Sequence, residues 1–228
     1  MSANLPPGTC IIPRQIMRSR ILTVVLLLPL SAFAQTVQTD PTTLRARDAH
    51  QDLMIAADPY VSADRYKGMF GKKSPYEFGL VAIDVIFRND NDSPIRLNPE
   101  TIQLVISLPG VDRQRLNPLS PEDVADRTIL NAHANPSVKR RLPFPTGGGS
   151  NSGKGKDWNE MVTSIRSVSL GTDVLPPHAN THGFLFFDLN HDFDAIRHSH
   201  VYIPDLAFMG SNKALFFFEI DLGLAATK

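Results

Sequence analysis

Apolar and polar residues alternate with period two over several short stretches of this chain, and that alternation predicts β-strands. The clearest runs from Leu80 to Phe87, where Val81, Ile83, Val85 and Phe87 fall on one face and Ala82 and Asp84 on the other. The turn formers of Arg88 to Pro94 break it. A short strand follows at Ile95 to Leu97. Thr101 to Leu108 then places Ile102, Leu104, Ile106 and Leu108 on one face and ends at Pro109 and Gly110. Leu53 to Ala57 predicts a first strand closed by Asp58 and Pro59, and residues 60–78 read as a loop or one helical turn. Late in the chain, strands are predicted over Gly183 to Leu189, His200 to Phe208 and Ala214 to Leu222. The run Leu215 to Ile220 reads as a central strand, with Phe216, Phe217 and Phe218 expected in the core because Phe is among the most buried residue types.

Two stretches carry the helical period instead. Ser120 can cap a helix that begins at Pro121, with Glu122 and Asp123 in its first turn, running to about Leu130. Trp158, Met161, Val162, Ile165 and Val168 recur at helical spacing, so a second short helix is expected, leading into a strand near Ser167. Residues 131–156 are poor in large apolar side chains and rich in Pro, Gly, Ser and Lys. They read as an exposed loop inserted in the domain. Many short strands and few helices predict a mainly β, antiparallel sandwich with one or two short helices in long connections.

The first 50 residues look different. Arg18 and Arg20 flank an apolar run from Ile21 to Leu30, followed by Ala32, Phe33 and Ala34 in a small-x-small arrangement. This is the pattern of a secretory signal peptide, and the run is too short to span a bilayer comfortably. The expectation is a signal segment over residues 1–34, with Met1 and Met17 both open as its start, cleavage before Gln35, a flexible lead-in over 35–50 and a β-domain over 51–228. Export places the mature protein in the periplasm or outside the cell, with no stable transmembrane segment after cleavage.

Composition narrows the chemistry. The single cysteine, Cys10, precedes the expected cleavage site, so the mature chain has no disulfide framework, thiol nucleophile or Cys-ligated metal. Removing Arg14, Arg18 and Arg20 from 23 basic residues leaves 20 against 23 acidic, a net charge of −3. No nucleic-acid partner is expected, since that would need a clustered basic face.

Several motifs invite chemistry. Residues 148–154 approach a phosphate-cradling loop, but Gly155 stands where Ser or Thr must ligate Mg²⁺ and no strand leads in, so the segment reads as a plain loop with no nucleotide cofactor. Asp188, Asn190 and Asp192 alternate as in a calcium loop, but Phe193 replaces the central Gly and the final Glu is missing, so a turn is expected. His178, His182, His191, His198 and His200 concentrate late, beside Asp192. A metal site would take His178, His182, Asp192, His198 and His200 as its candidate ligands, but their spacing matches no established zinc motif, and solvated loop histidines are the plainer reading. No local signature marks a catalytic residue. Lys139, Arg140 and Arg141 read as a solvated, protease-sensitive point.

The strand from Val81 to Asp90, running into a polar turn and then Ile95 to Leu97, resembles the opening hairpin of immunoglobulin-like bacterial envelope domains. The segment from Leu175 through Pro176, Pro177 and His178 to Phe187 is similar to their later leucine-proline-proline-glycine turn and core strand, with His178 in the place of the glycine. The resemblance covers roughly residues 50 to 222, interrupted by 131–156. It implies an immunoglobulin-like β-sandwich and leaves the activity open. The functional expectation is a non-catalytic binding or structural module of the bacterial cell envelope, whose partner is an envelope protein or glycan. The alternative is a metal-binding protein, or a metal-dependent or hydrolytic enzyme, using the His/Asp-rich region 178–200.

Overall fold

Buried at nearly every position, the strand β3 (Leu80–Asn89) has core on both of its faces. In the computed structural model of the chain, residues 40–70, 73–130, 155–211 and 213–226 are described. The expected signal segment and nearly all of the expected 131–156 loop lie outside them. Before β3 come β1 (Arg47–His50) and β2 (Leu53–Tyr60). After it come β4 (Ile95–Arg96), β5 (Gln103–Ile106) and β6 (Gln114–Leu116). Helices α1 (Pro121–Leu130) and α2 (Lys156–Val168) follow, then β7 (Val174–Leu175), β8 (Ala179–Asp188), β9 (Ser199–Ile203), β10 (Ala207–Phe208), β11 (Phe218–Asp221) and α3 (Gly223–Ala226). No helix among the described residues is long and apolar enough to cross a membrane.

All the strand pairs are antiparallel. The first sheet has the order β1-β2-β3-β8, the second β11-β9-β5-β6, and a small third sheet β10-β4-β7. The inner face of the first sheet (Leu53, Ile55, Val81, Ile83, Val85, Phe87, Leu185, Phe187) packs into one core with Ile102, Leu104, Ile106, Val201, Ile203, Phe218 and Ile220 of the second sheet and its flanks. Ile95 and Leu175 of the small sheet join the same core. On the opposite face of the first sheet, Leu80, Ala82, Phe184 and Phe186 pack against Val124 and Ala125 of α1 and Trp158, Met161, Val162 and Ile165 of α2. The first sheet is therefore a middle layer between helices and a second sheet.

Local chemistry explains the helices. The Asp123 amide donates to Ser120 Oγ at 3.1 Å, and the Ser120 amide reaches back to Asp123 Oδ2 at 3.4 Å, a reciprocal cap that starts α1. Trp158 Nε1 donates to Asp126 Oδ1 at 2.7 Å and ties α2 to α1. The expected helices and the strands at 53, 80, 95 and 101 are all present, with shifted ends. Where Gly183 sits, a Cβ would lie 2.5 Å from Leu170 Cα, so a glycine is required for the chain leaving α2 to press against β8.

Four expectations are corrected. The strand expected near Ser167 is absent, because the helical spacing of Ile165 and Val168 carries α2 through to Val168. Residues 47–50 form a strand where a flexible lead-in was expected. The segment has no apolar alternation, and its conformation is imposed by a two-residue hairpin whose Gln51 and Asp52 both take positive φ, 52° and 55°. The expected strand from His200 to Phe208 is broken by Pro204, which has no amide to donate, and by Asp205 at φ 57°. Its halves join different sheets. The expected strand over 214–222 contracts to Phe218–Asp221, and it is the edge of its sheet where a central strand was expected.

Tyr66 closes the end of the β2–β3 ladder. Its buried hydroxyl donates to the Tyr60 carbonyl at 3.0 Å and accepts from the Ala82 amide at 2.7 Å. Tyr66→Phe leaves that amide without a partner inside the protein and should cost about 1–3 kcal/mol in urea unfolding, with little change in the m-value.

Candidate functional site

The histidines nominated by the sequence spread over the surface. His178, exposed on the turn before β8, takes φ 50°, the left-handed region where a glycine is ordinarily used, and its Nε2 lies 2.9 Å from Asp92 Oδ1. His200 in β9 lies 3.7 Å from Glu219 on β11. His198 ends a short 3₁₀ turn (Phe193–His198), and Asp192 precedes that turn. His182 pairs with Asp84. Among the described residues, no three His, Cys, Asp or Glu side chains come together as a metal would require. The residues of the calcium-like pattern form a turn. Asn190 and His191 both have positive φ, and Asp188 pairs with Arg127 through one oxygen and accepts from the Asn190 amide at 2.9 Å through the other.

One of those histidines belongs to a built arrangement. Asp84 interrupts the apolar run of β3 and is only 9% exposed, on the helix-covered side of the first sheet. Its Oδ1 lies 3.2 Å from His182 Nδ1, a diagonal cross-strand neighbour on β8. Across the other strand boundary, Asp84 stands in register with Asp58 of β2. Asp58 is held by a bidentate pair from Arg65, with both oxygens at 2.7 Å, and the guanidinium lies 3.6 Å over the Tyr60 ring. Asp58 is thus paired with a permanent cation, whereas Asp84 is hydrogen-bonded to the imidazole and feels the Arg65 charge as a smaller effect. Burial pushes the Asp84 carboxyl above the usual carboxylate range, His182 opposes that shift, and the charge of Asp58 adds to it. Burial likewise raises the Tyr60 hydroxyl. An ionised Asp84 can only accept a hydrogen bond, so Nδ1 of His182 donates to it and Nε2 is left for proton exchange. Among the described residues, no hydroxyl or thiol is hydrogen-bonded to His182.

The raised folded-state value fixes a pH dependence. Asp84 contributes most to stability when protonated, below its ordinary unfolded pKa, and that contribution is lost as pH rises through the raised value. Asp84→Asn should therefore raise the melting temperature at pH 7, and the gain should vanish below about pH 4. Thermal melts of both proteins across that range measure it. An Asp84→Asn variant that melts lower than the parent at neutral pH would show that the carboxylate is held favourably.

The exposed face of the second sheet carries a different surface. Phe216 is 71% and Phe217 55% exposed, which corrects their assignment to the core. Only Phe218 and Ile220 point inward from β11, and the chain reaches strand geometry too late for the two preceding rings to be buried. Phe217 lies 5.6 Å from the Tyr202 ring, and the Arg115 guanidinium lies 5.6 Å from that ring on its other flank. The outward backbone edge of β11 is already occupied. Gln51 accepts from the Phe216 amide at 2.8 Å, Asp48 from the Glu219 amide at 3.3 Å, and His50 Nε2 reaches the Phe217 carbonyl at 3.2 Å while its ring stacks 3.7 Å from Phe218. Backbone pairing at this edge is blocked, so a partner would have to read side chains on the face.

Sequence reasoning passed over Asp84, Asp58, Arg65 and the Tyr202–Phe217 pair. The signal for Asp84 was present, as a lone acid in an apolar strand. Nothing in the sequence brings Tyr202 to Phe217, because the contact depends on the β9–β11 register.

No protein-family profile and no curated protein matches the chain. Among solved structures, it is similar to a functionally unknown protein from Listeria monocytogenes EGD-e, at 12% identity and a TM-score of 0.35, over 77% of this chain and 79% of that one.

The two aromatic populations predict different responses to truncation. Changing Phe216 and Phe217 to Ser should alter stability by no more than about 0.5 kcal/mol each. Phe218→Ala should cost about 3–5 kcal/mol. Denaturant titrations of the three variants distinguish them.

Proposed function

We propose that this chain is an exported, non-catalytic binding module of the bacterial cell envelope, built on an immunoglobulin-like β-sandwich. The signal-peptide pattern around Ile21 to Ala34 supports export. The immunoglobulin-like reading is supported by strand order. The chain passes from β3 in the first sheet to β5 in the second, returns to β8 beside β3, and crosses again to β9 beside β5 and on to β11. The binding reading is carried by one observation, the Arg115–Tyr202–Phe217 row on the outer face of the second sheet, with Arg115 and Phe217 exposed and Tyr202 half-buried between them. Tyr, Phe and Arg are the residue types enriched where surfaces meet partners, and the edge beside this row is already blocked to strand addition.

A second reading, a hydrolytic enzyme, is favoured by the Asp84–His182 pair. In it, Asp84 orients the imidazole and Nε2 of His182 takes a proton from water. Because the pair lies on the first sheet and the aromatic row on the second, variants separate the two readings.

Incorporating a photo-cross-linking amino acid at Phe217 in the native host should trap an envelope component, and the same group at exposed Val111 should not. Fractionation should find the protein outside the cytoplasm with Gln35 at its N-terminus. An uncleaved cytoplasmic protein overturns the export half of the proposal. Equal cross-linking from Phe217 and Val111 overturns the binding half.

A further inference from the structure

We infer, resting on the binding reading above, that the outer face of the second sheet is where two copies of this chain meet, so that the partner of the Arg115–Tyr202–Phe217 row is a second copy. Strand register sets the charge pattern of this face. Arg115 of β6 is in register with Val105 of β5, Val105 with His200 of β9, and His200 with Asp221 of β11. Residues in register lie on the same side of a sheet, so these four form one row, about three strand spacings or roughly 14 Å from end to end. The next row along the strands holds Gln103, Tyr202 and Glu219. Leu104, Val201 and Ile220 alternate with these residues and belong to the core, so both rows lie on the side away from it.

The charges of this face are not cancelled within the monomer. Arg115 donates to the neutral amide oxygen of Gln103 at 3.0 Å, which leaves the guanidinium cationic, and no carboxylate among the described residues pairs with it. Asp221 accepts from the Gly223 amide at 2.8 Å, and Glu219 faces His200 at 3.7 Å. Among the described residues neither acid meets a Lys or Arg. Arg115, Glu219 and Asp221 are all exposed. The face is therefore positive at β6 and negative along β11, with the Tyr202 ring between and Phe217 just ahead of the acidic strand.

That polarity makes the face complementary to itself. A two-fold axis parallel to the strands, midway between two facing sheets, turns β6 of each copy over β11 of the other and keeps every row opposite itself. Arg115 of each copy then faces the acids of the other, with the aromatic rings enclosed between the charged margins. An axis running across the strands would set each margin on its own equivalent and bring like charges together, which opposes association. Such a two-fold, self-complementary contact is the commonest arrangement of homo-oligomers. Edge-to-edge pairing at β11 is closed off by Asp48, His50 and Gln51, which leaves the face. Size sets the strength. Four strands of three to five residues cover roughly 15 Å by roughly 15 Å, well short of the ~800 Å² per partner of a standard interface. The dimer is accordingly reversible, with a dissociation constant on the order of 10–100 μM.

Sedimentation equilibrium of the full mature chain from about 5 μM to about 1 mM tests this. The average mass should rise from monomer towards dimer, and added salt should move the rise to higher concentration by screening the facing charges. Arg115→Glu and Asp221→Arg should each weaken self-association about tenfold or more. Mixed in equal amounts, the two variants should associate as the parent does, because each supplies the charge the other has lost. If loss of the Gly223 bond lowers the melting temperature of Asp221→Arg, Glu219→Arg takes its place in the mixture. Asp84→Asn, on the other sheet, should dimerise as the parent does. A photo-cross-linking group at Phe217 should yield a covalent dimer of this chain.

Failure has distinguishable forms. A chain that stays monomeric at about 1 mM overturns the inference. If the group at Phe217 then still traps a different envelope protein, the binding reading survives. Dimers indifferent to both charge reversals, or variants that mixing does not restore, show that these margins do not face each other and also overturn it. A monomer with no adduct from Phe217 overturns the inference and the reading beneath it.

Discussion

Burial of β3 on both faces is the constraint on which the rest of the structure depends. A strand buried on one side needs one partner layer. Here Val81, Ile83, Val85 and Phe87 need the second sheet, while Leu80 and Ala82, with Phe184 and Phe186 beside them on β8, need a cover of their own. That cover is the α1–α2 pair. The helices are amphipathic and short, and their stability comes from the sheet they close. Tyr66 belongs to the same device. It fills space under the helical layer and uses its hydroxyl to satisfy the backbone where the β2–β3 ladder runs out.

Asp84 sits against that constraint. Every neighbouring position on β3 is apolar and buried, yet an acid is held there with an imidazole as its nearest opposite charge. Its register partner Asp58 is treated differently, through the bidentate Arg65 pair and the Tyr60 ring beneath the guanidinium. Two facing carboxylates repel. One is paired with a permanent cation, and the other, whose carboxyl burial pushes upward, is hydrogen-bonded to the His182 ring.

The second sheet shows how edge and face divide the surface. An unpaired strand edge invites backbone pairing with another chain. At β11 this is prevented by three side chains from the β1 hairpin, Asp48, His50 and Gln51, which occupy the outward backbone groups. The contact also joins the margins of the two sheets. With the edge closed, what remains available is the outer face, where the Tyr202 and Phe217 rings sit beside Arg115.

The sequence by itself determined the elements whose signal is local. Period-two alternation located β3 and β5, the Ser120 cap and acidic first turn located the start of α1, and helical spacing of Trp158, Met161, Val162 and Ile165 located α2. Each of these follows from nearest-neighbour geometry and is written in consecutive residues. Tertiary structure alone decided the rest. The strand β1 exists because a hairpin turn folds it back on β2, and its own side chains carry no alternation. Phe216 and Phe217 are exposed while Phe218 is buried, although the three are chemically identical, because pairing of β11 with β9 begins only at Phe218 and the two preceding rings lie outside the strand. His182 meets Asp84 across 98 residues of sequence while the other late histidines remain apart. Which side chains converge depends on which strands become neighbours, and strand neighbours here are separated by long connections that no local pattern encodes.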